Sequence, residues 1–100
     1  MIVTVFRSRL RPEATDAYME VAGRMSELAK TMPGYISHKG FTAPDGERVT
    51  IVEFEDEESQ RGWSQQAEHL VAKKRGRSDF YSEYHIQVCT ILRQSDFPKK

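Results

Sequence analysis

Residues 62–70 read GWSQQAEHL and hold the only tryptophan, Trp63, with His69 six residues on. Histidine is the side chain that titrates unperturbed near neutral pH, and tryptophan offers a large flat face. Together they suit an aromatic pocket with a base or a hydrogen-bond donor in it. Separately, each has an ordinary reading: Trp63 as core filler, His69 as an exposed or capping residue. Geometry decides between them. Six residues on a straight helix turn through about 240° at roughly 100° per residue, so the two cannot face one pocket. If they share a site, the helix must break between them, and the polar run Ser64-Gln65-Gln66 is the place for it.

His38 and His85 fall on other segments. His38 shares a strand face with Gly40, which leaves room for a ligand or for a packed ring. His85 alternates with Gln87 and Cys89, a face that suits a cavity or a seam between subunits. None of the three histidines shows the i, i+4 spacing of a helical metal pair, so no metal site is expected. The run Lys73 to Arg77, KKRGR, suits a helix C-terminus. Its alternative use is to hold an anionic or enolate oxygen, with Arg77 as the candidate. There is no G-x-S-x-G and no glycine-rich phosphate loop, which removes the common hydrolase and nucleotide-binding readings.

The elements that must position these residues follow from periodicity. Ile2 to Arg9 is a strand, apolar on both faces at its start and therefore central. Pro12 and Glu13 open a helix whose stripe is Ala14, Tyr18, Val21, Met25, Leu28 and Met32, and Pro33-Gly34 ends it. Tyr35–Thr42 and Glu47–Glu55 form a hairpin about the turn Ala43-Pro44-Asp45-Gly46. Asp56 caps a second helical region that runs to about Arg75, bends near Gln66 and stops at Gly76. Tyr84 to Leu92 is a fourth strand, and Ser95 to Lys100 a frayed polar tail. The order β-α-β-β-α-β predicts an α+β, ferredoxin-like domain over residues 1–94, with an antiparallel sheet and both helices on one face. The first and last strands are apolar on both faces, which predicts a homodimer formed through the uncovered face.

Composition bounds the partners. Lys+Arg and Asp+Glu are both 15, giving a net charge of zero and no basic surplus for nucleic acid or an anionic membrane. A single cysteine, Cys89, excludes an internal disulfide. No segment reads as a membrane span or a signal peptide, so the expected compartment is the cytoplasm.

The segments PGYISHKGF, DGERVTIVEFEDEESQRGW and AEHLVAKKRGRSDFYSEYHIQVC resemble the antibiotic biosynthesis monooxygenase family, from about Ile2 to Leu92. The resemblance implies ferredoxin-like protomers that dimerise into an α+β barrel, each with a pocket between helices and sheet. Some members oxidise polyphenols or quinol-type molecules with O2 and no cofactor; others bind and degrade haem. In the cofactor-free members an Asn, a Trp four residues later and a Tyr about six beyond that form the site. Here the matching positions are Ser59, Trp63 and His69, so the tryptophan alone is kept. In the haem degraders an Asn late in the first strand precedes the Trp, and a His follows it by about ten residues. Here Ser8 and Lys73 stand at those places. The resemblance implies a cofactor-independent monooxygenase with a phenolic or quinol substrate and O2, His69 acting as base beside Trp63, and Tyr35 or Arg77 holding the phenolate. Ser8, His38 and Ser59 complete the candidate substrate contacts. Haem, on His69 or His38, is the alternative cofactor, and a non-catalytic small-molecule-binding dimer is the third reading.

Overall fold

The computed structural model describes residues 1–98. The tail expected over Ser95–Lys100 therefore falls partly outside the described residues. Residues 91–98 carry no regular helix or strand.

The elements are β1 (Ile2–Leu10), α1 (Thr15–Ala29), β2 (Tyr35–Thr42), β3 (Arg48–Phe54), α2 (Glu57–Ser64), α3 (Ala67–Arg75) and β4 (Tyr81–Thr90). The sheet order is β2-β3-β1-β4 and every neighbouring pair is antiparallel. This is the predicted α+β, ferredoxin-like arrangement. β1 is indeed central, which is why its start is apolar on both faces.

Pro12–Ala14 forms a single 3-10 turn that feeds α1, with proline where no backbone N–H is needed. The stripe of α1 lands on the sheet: Ala14, Tyr18 and Ala29 are buried, and Val21, Met25 and Leu28 pack beside them. After α1 the chain turns at Gly34, whose φ of 77° lies in the left-handed region. A Cβ there would also collide with the side chain of Ser59, so glycine is required twice over.

Strand register gives the sheet an address system. On the helix side, Tyr35, Phe54, Ile2 and Thr90 form one row across the sheet. His38, Val52, Thr4 and Val88 form the next, then Gly40, Thr50, Phe6 and Ile86. Thr42, Arg48, Ser8 and Tyr84 form the last. The core divides between the two ends. Phe54, fully buried, meets Ala29 and Trp63 at one end; Ala14, Tyr18 and Phe80 cluster at the other. The opposite sheet face carries Val3, Val5, Val49 and Ile51, partly exposed, and Phe41, 48% exposed.

The end of the second helical region and the start of β4 differ from the sequence reading for one physical reason. Gly76 does not stop the helical region: its φ and ψ are −54° and −51°, and one π-helical turn, Gly76–Phe80, follows. What requires glycine is the ring of Tyr81, which lies against its Cα. Because that turn ends at Phe80, β4 begins at Tyr81 rather than Tyr84, pairing with Leu10 past an irregularity at Arg9/Leu10.

Candidate functional site at the corner between two helices

The second helical region breaks where its polar run allows. α2 starts at Asp56, whose carboxylate accepts the Ser59 N–H at 2.8 Å. That bond, first among the causes, holds Asp56 below the usual carboxylate range. α2 ends at Ser64, and Gln66 is extended, with φ −62° and ψ 135°. The Gln66 side chain then caps α3 by accepting the His69 N–H at 2.9 Å. From the far side, Lys73 Nζ donates to the Ser64 carbonyl at 2.6 Å and to its hydroxyl at 2.7 Å. It thereby satisfies a carbonyl that the end of α2 leaves without a helical partner.

The break does what a straight helix cannot. The rings of Trp63 and His69 stack, with centroids 4.0 Å apart and planes at 15°. His69 Nδ1 lies 2.9 Å from the Trp63 carbonyl oxygen. A carbonyl only accepts, so Nδ1 carries the proton and Nε2 keeps its lone pair. Burial pushes the His69 pKa below its usual value; the Trp63 carbonyl acts in the opposite sense, and Lys73 lowers it further. The result is a neutral imidazole at pH 7 with one fixed tautomer.

Trp63 itself is 8% exposed and packs among Ala29, Phe54, Met25, Leu28, Met32, Tyr35 and Val52. It is a core residue whose ring is also the platform for His69. Its packing on Phe54 and its stacking on His69 are one arrangement.

The other candidates sort by distance from that corner. Tyr35 joins the Trp63 cluster, its ring edge-on to Phe54. His38 bonds to Tyr35, with Nδ1 2.6 Å from the phenol oxygen, and to Ser26 on α1, with Nε2 2.7 Å from the hydroxyl. Both ring nitrogens are therefore occupied. Burial lowers the His38 pKa, and Lys30 adds to the effect. Ser59 sits against Gly34 at the start of α2. Ser8, 3% exposed, lies in the Arg48 row, at the opposite end of the sheet from Phe54 and Trp63. Arg77 is exposed on the π-helical turn. The structure thus brings Trp63, His69 and Tyr35 to one end, adds His38 beside them, and leaves Ser8 and Arg77 apart.

Sequence reasoning missed Ser26, Arg48 and the bridging role of Lys73. Ser26 follows Met25 on α1 and is not part of its apolar stripe. Arg48 alternates with Thr50, Val52 and Phe54 on the buried face of β3, a signal present in the spacing of RVTIVEF. Among the described residues, no three His, Cys, Asp or Glu side chains converge as they would around a metal ion, and no helix is long and apolar enough to cross a membrane.

Comparison with known proteins gives this geometry a context. Residues 1–75 match the family described as antibiotic biosynthesis monooxygenase. The chain is 31% identical to YqjZ of Bacillus subtilis over 93 residues, which is 93% of this chain and 82% of that one. It is 26% identical over 91 residues to the jasmonate monooxygenase ABM of Pyricularia oryzae, spanning 88% of this chain but 42% of that protein. The fold superposes on SnoaB, a cofactor-independent oxygenase from Streptomyces nogalater, with a TM-score of 0.80 at 19% identity, covering 98% and 97% of the two chains. Rv0793 of Mycobacterium tuberculosis superposes with a TM-score of 0.84 at 16% identity, covering 95% and 98%. With the family match spanning three quarters of its length, the chain belongs to the antibiotic biosynthesis monooxygenase family.

Proposed function

We propose that this protein is a cofactor-independent monooxygenase that oxidises a phenolic or quinol-type small molecule with O2, and that His69 is its base. The observation that carries the reading is the His69 ring, stacked on Trp63 and pinned through Nδ1, with Nε2 left as an acceptor.

The chemistry asks little more of the protein. A phenol with a free para C–H reacts with O2 to give a quinone and water, so the substrate supplies all four electrons. Removing the phenol proton makes the ring electron-rich enough to reduce O2. A base with a lowered histidine pKa stays unprotonated at neutral pH and accepts that proton through Nε2. Partial burial at the corner keeps bulk water from competing. The cofactor-independent oxygenase SnoaB supports the reading through its shared fold, and the jasmonate monooxygenase relative supports O2 chemistry on a small molecule. We place the active unit as a homodimer, paired through the sheet face that bears Val3, Val5, Val49 and Ile51. A monomeric mass by light scattering at micromolar concentration contradicts that assignment.

One observation favours a second reading. An imidazole whose Nδ1–H donates to a carbonyl while Nε2 is open is also the arrangement of metal-ligating histidines. His69 fits a haem iron in that respect, and bound haem would supply the oxygen-activating iron. His38 does not fit, because both of its nitrogens are engaged. Haemin titration separates the readings. A saturable Soret band at one haem per protomer, lost in His69→Ala, selects haem. Quinol-dependent O2 uptake by haem-free protein, lost in the same variant, selects the cofactor-independent enzyme.

A further inference from the structure

Of the nine arginines of this chain, Arg77 and Arg93 are exposed and Arg11 donates to the Tyr81 carbonyl. Arg7, Arg9, Arg24, Arg61 and Arg75 lie at the surface, and each has a carboxylate within ion-pair distance. Arg48 is the reverse. It is partly buried on the helix side of β3, and no carboxylate pairs with it among the described residues. Its Nε is a buried donor with no partner. One weak bond, from a terminal nitrogen to Thr42 Oγ1 at 3.4 Å, is its hydrogen bond to protein. Buried donors are ordinarily satisfied, so the unpartnered Arg48 Nε needs an explanation.

The surroundings supply one. The guanidinium carbon stands 5.4 Å from the centre of the Tyr18 ring. Tyr81 meets that ring edge-on, and Phe6 and Tyr84 extend the aromatic wall. Ser8 lies opposite Arg48 across β1 and β3, and Tyr84 lies opposite Ser8. Burial and the neighbouring Tyr18 both push the Tyr81 phenol well above its usual range, so it stays a neutral donor. Gly40 lies beside Arg48: a Cβ there would sit 4.0 Å from a terminal guanidinium nitrogen, at ordinary contact distance. On the helix side this is a cation among hydroxyl donors and aromatic rings, with no carboxylate paired to it among the described residues.

We propose that Arg48 anchors an anion-binding site, separate from the His69 corner, that takes the carboxylate of a small aromatic molecule on the Arg48 guanidinium. Arginine presents a planar fork that matches a carboxylate with two parallel hydrogen bonds. Arg48 is six residues from Phe54 on β3, about 20 Å at roughly 3.3 Å per residue. The site thus lies at the end of the sheet away from the Trp63 cluster, and a naphthoate-sized ligand held there does not reach His69. The aromatic character of this ligand is read from the Tyr18, Tyr81, Phe6 and Tyr84 rings, and its carboxylate from Arg48.

The test is calorimetric titration under argon of the wild-type protein with 1,4-dihydroxy-2-naphthoate and with its methyl ester. The acid is expected to bind at least tenfold more tightly than the ester. In Arg48→Met that preference disappears, and in Arg48→Lys it falls but persists. Thermal midpoints are read beside each titration, and Arg48→Lys retains a charge and a stem should Arg48→Met fail to fold. Equal binding of acid and ester by the wild type, no binding of either included, overturns the proposal. So does a variant whose midpoint drops while the acid-to-ester ratio stays as in wild type, because Arg48 would then serve Tyr18 packing alone. Acid-selective binding without O2 uptake leaves the anion site standing and removes the oxygenase reading, so the two fail separately.

Discussion

His69 and His38 lie near the same end of the sheet, both are partly buried, and burial lowers the pKa of both. They differ in what their nitrogens touch. His38 is bonded at both, to Ser26 on α1 and to Tyr35 at the start of β2, and so ties helix to sheet. His69 is bonded at Nδ1, by a carbonyl of its own corner, and Nε2 is left over. A shifted pKa alone does not distinguish a structural histidine from a reactive one; the inventory of hydrogen bonds does.

That comparison can be broken at its platform. Trp63→Ala removes the ring on which His69 stacks and empties the Phe54 cluster. It is expected to cost about 3–5 kcal/mol in urea unfolding, the range for large buried aromatics. A cost under about 1 kcal/mol would mean that the corner is not part of the core. The second break is at His38. His38→Phe keeps a ring but leaves the Ser26 and Tyr35 hydroxyls without partners, at an expected cost of about 1–3 kcal/mol. Quinol oxidation in that variant should keep its wild-type pH profile. A displaced profile would place His38 in the reaction.

The pH dependence sharpens the same contrast. Both folded-state pKa values lie below the ordinary 6.5, so the unfolded chain takes up protons first as pH falls. Stability from these groups is present above 6.5 and is lost as pH drops through the window beneath it. Urea midpoints between pH 7.5 and 5 should fall in the wild type and fall less in His69→Gln. An unchanged slope would deny that His69 is buried neutral. The smallest effect is at the cap. Gln66→Ala deletes the acceptor for the His69 N–H, and about 1 kcal/mol of stability goes with it. Because the cap also sets the start of α3, quinol turnover should fall more than stability alone explains. Turnover in proportion to folded protein would show the cap to be structural only.

Much of this was legible in the residues. The apolar stripe of α1 and the strand periodicities define the order β-α-β-β-α-β, and the polar run Ser64-Gln65-Gln66 marks the break that lets Trp63 meet His69. The Ser26–His38–Tyr35 chain was not legible, because it joins α1 to β2 and no local pattern reports a contact between elements. Gly76 misled for a physical reason: glycine usually ends helices in a left-handed conformation, and here it serves the approach of Tyr81. Arg48 was hidden because an arginine near a hairpin turn reads as exposed. The alternation Arg48, Thr50, Val52, Phe54 places it on the buried face, and register then sets Ser8 opposite it, which spacing along one strand does not show.

The account rests on one nitrogen, His69 Nε2, and the most direct measurement is O2 uptake by purified, haem-free protein with a quinol panel, comparing wild type, His69→Ala and His38→Phe. The account predicts quinol-dependent uptake in wild type, a loss of about 10²–10⁴-fold in His69→Ala, and near-wild-type uptake in His38→Phe. Uptake in His69→Ala equal to wild type, with the variant folded, would contradict it.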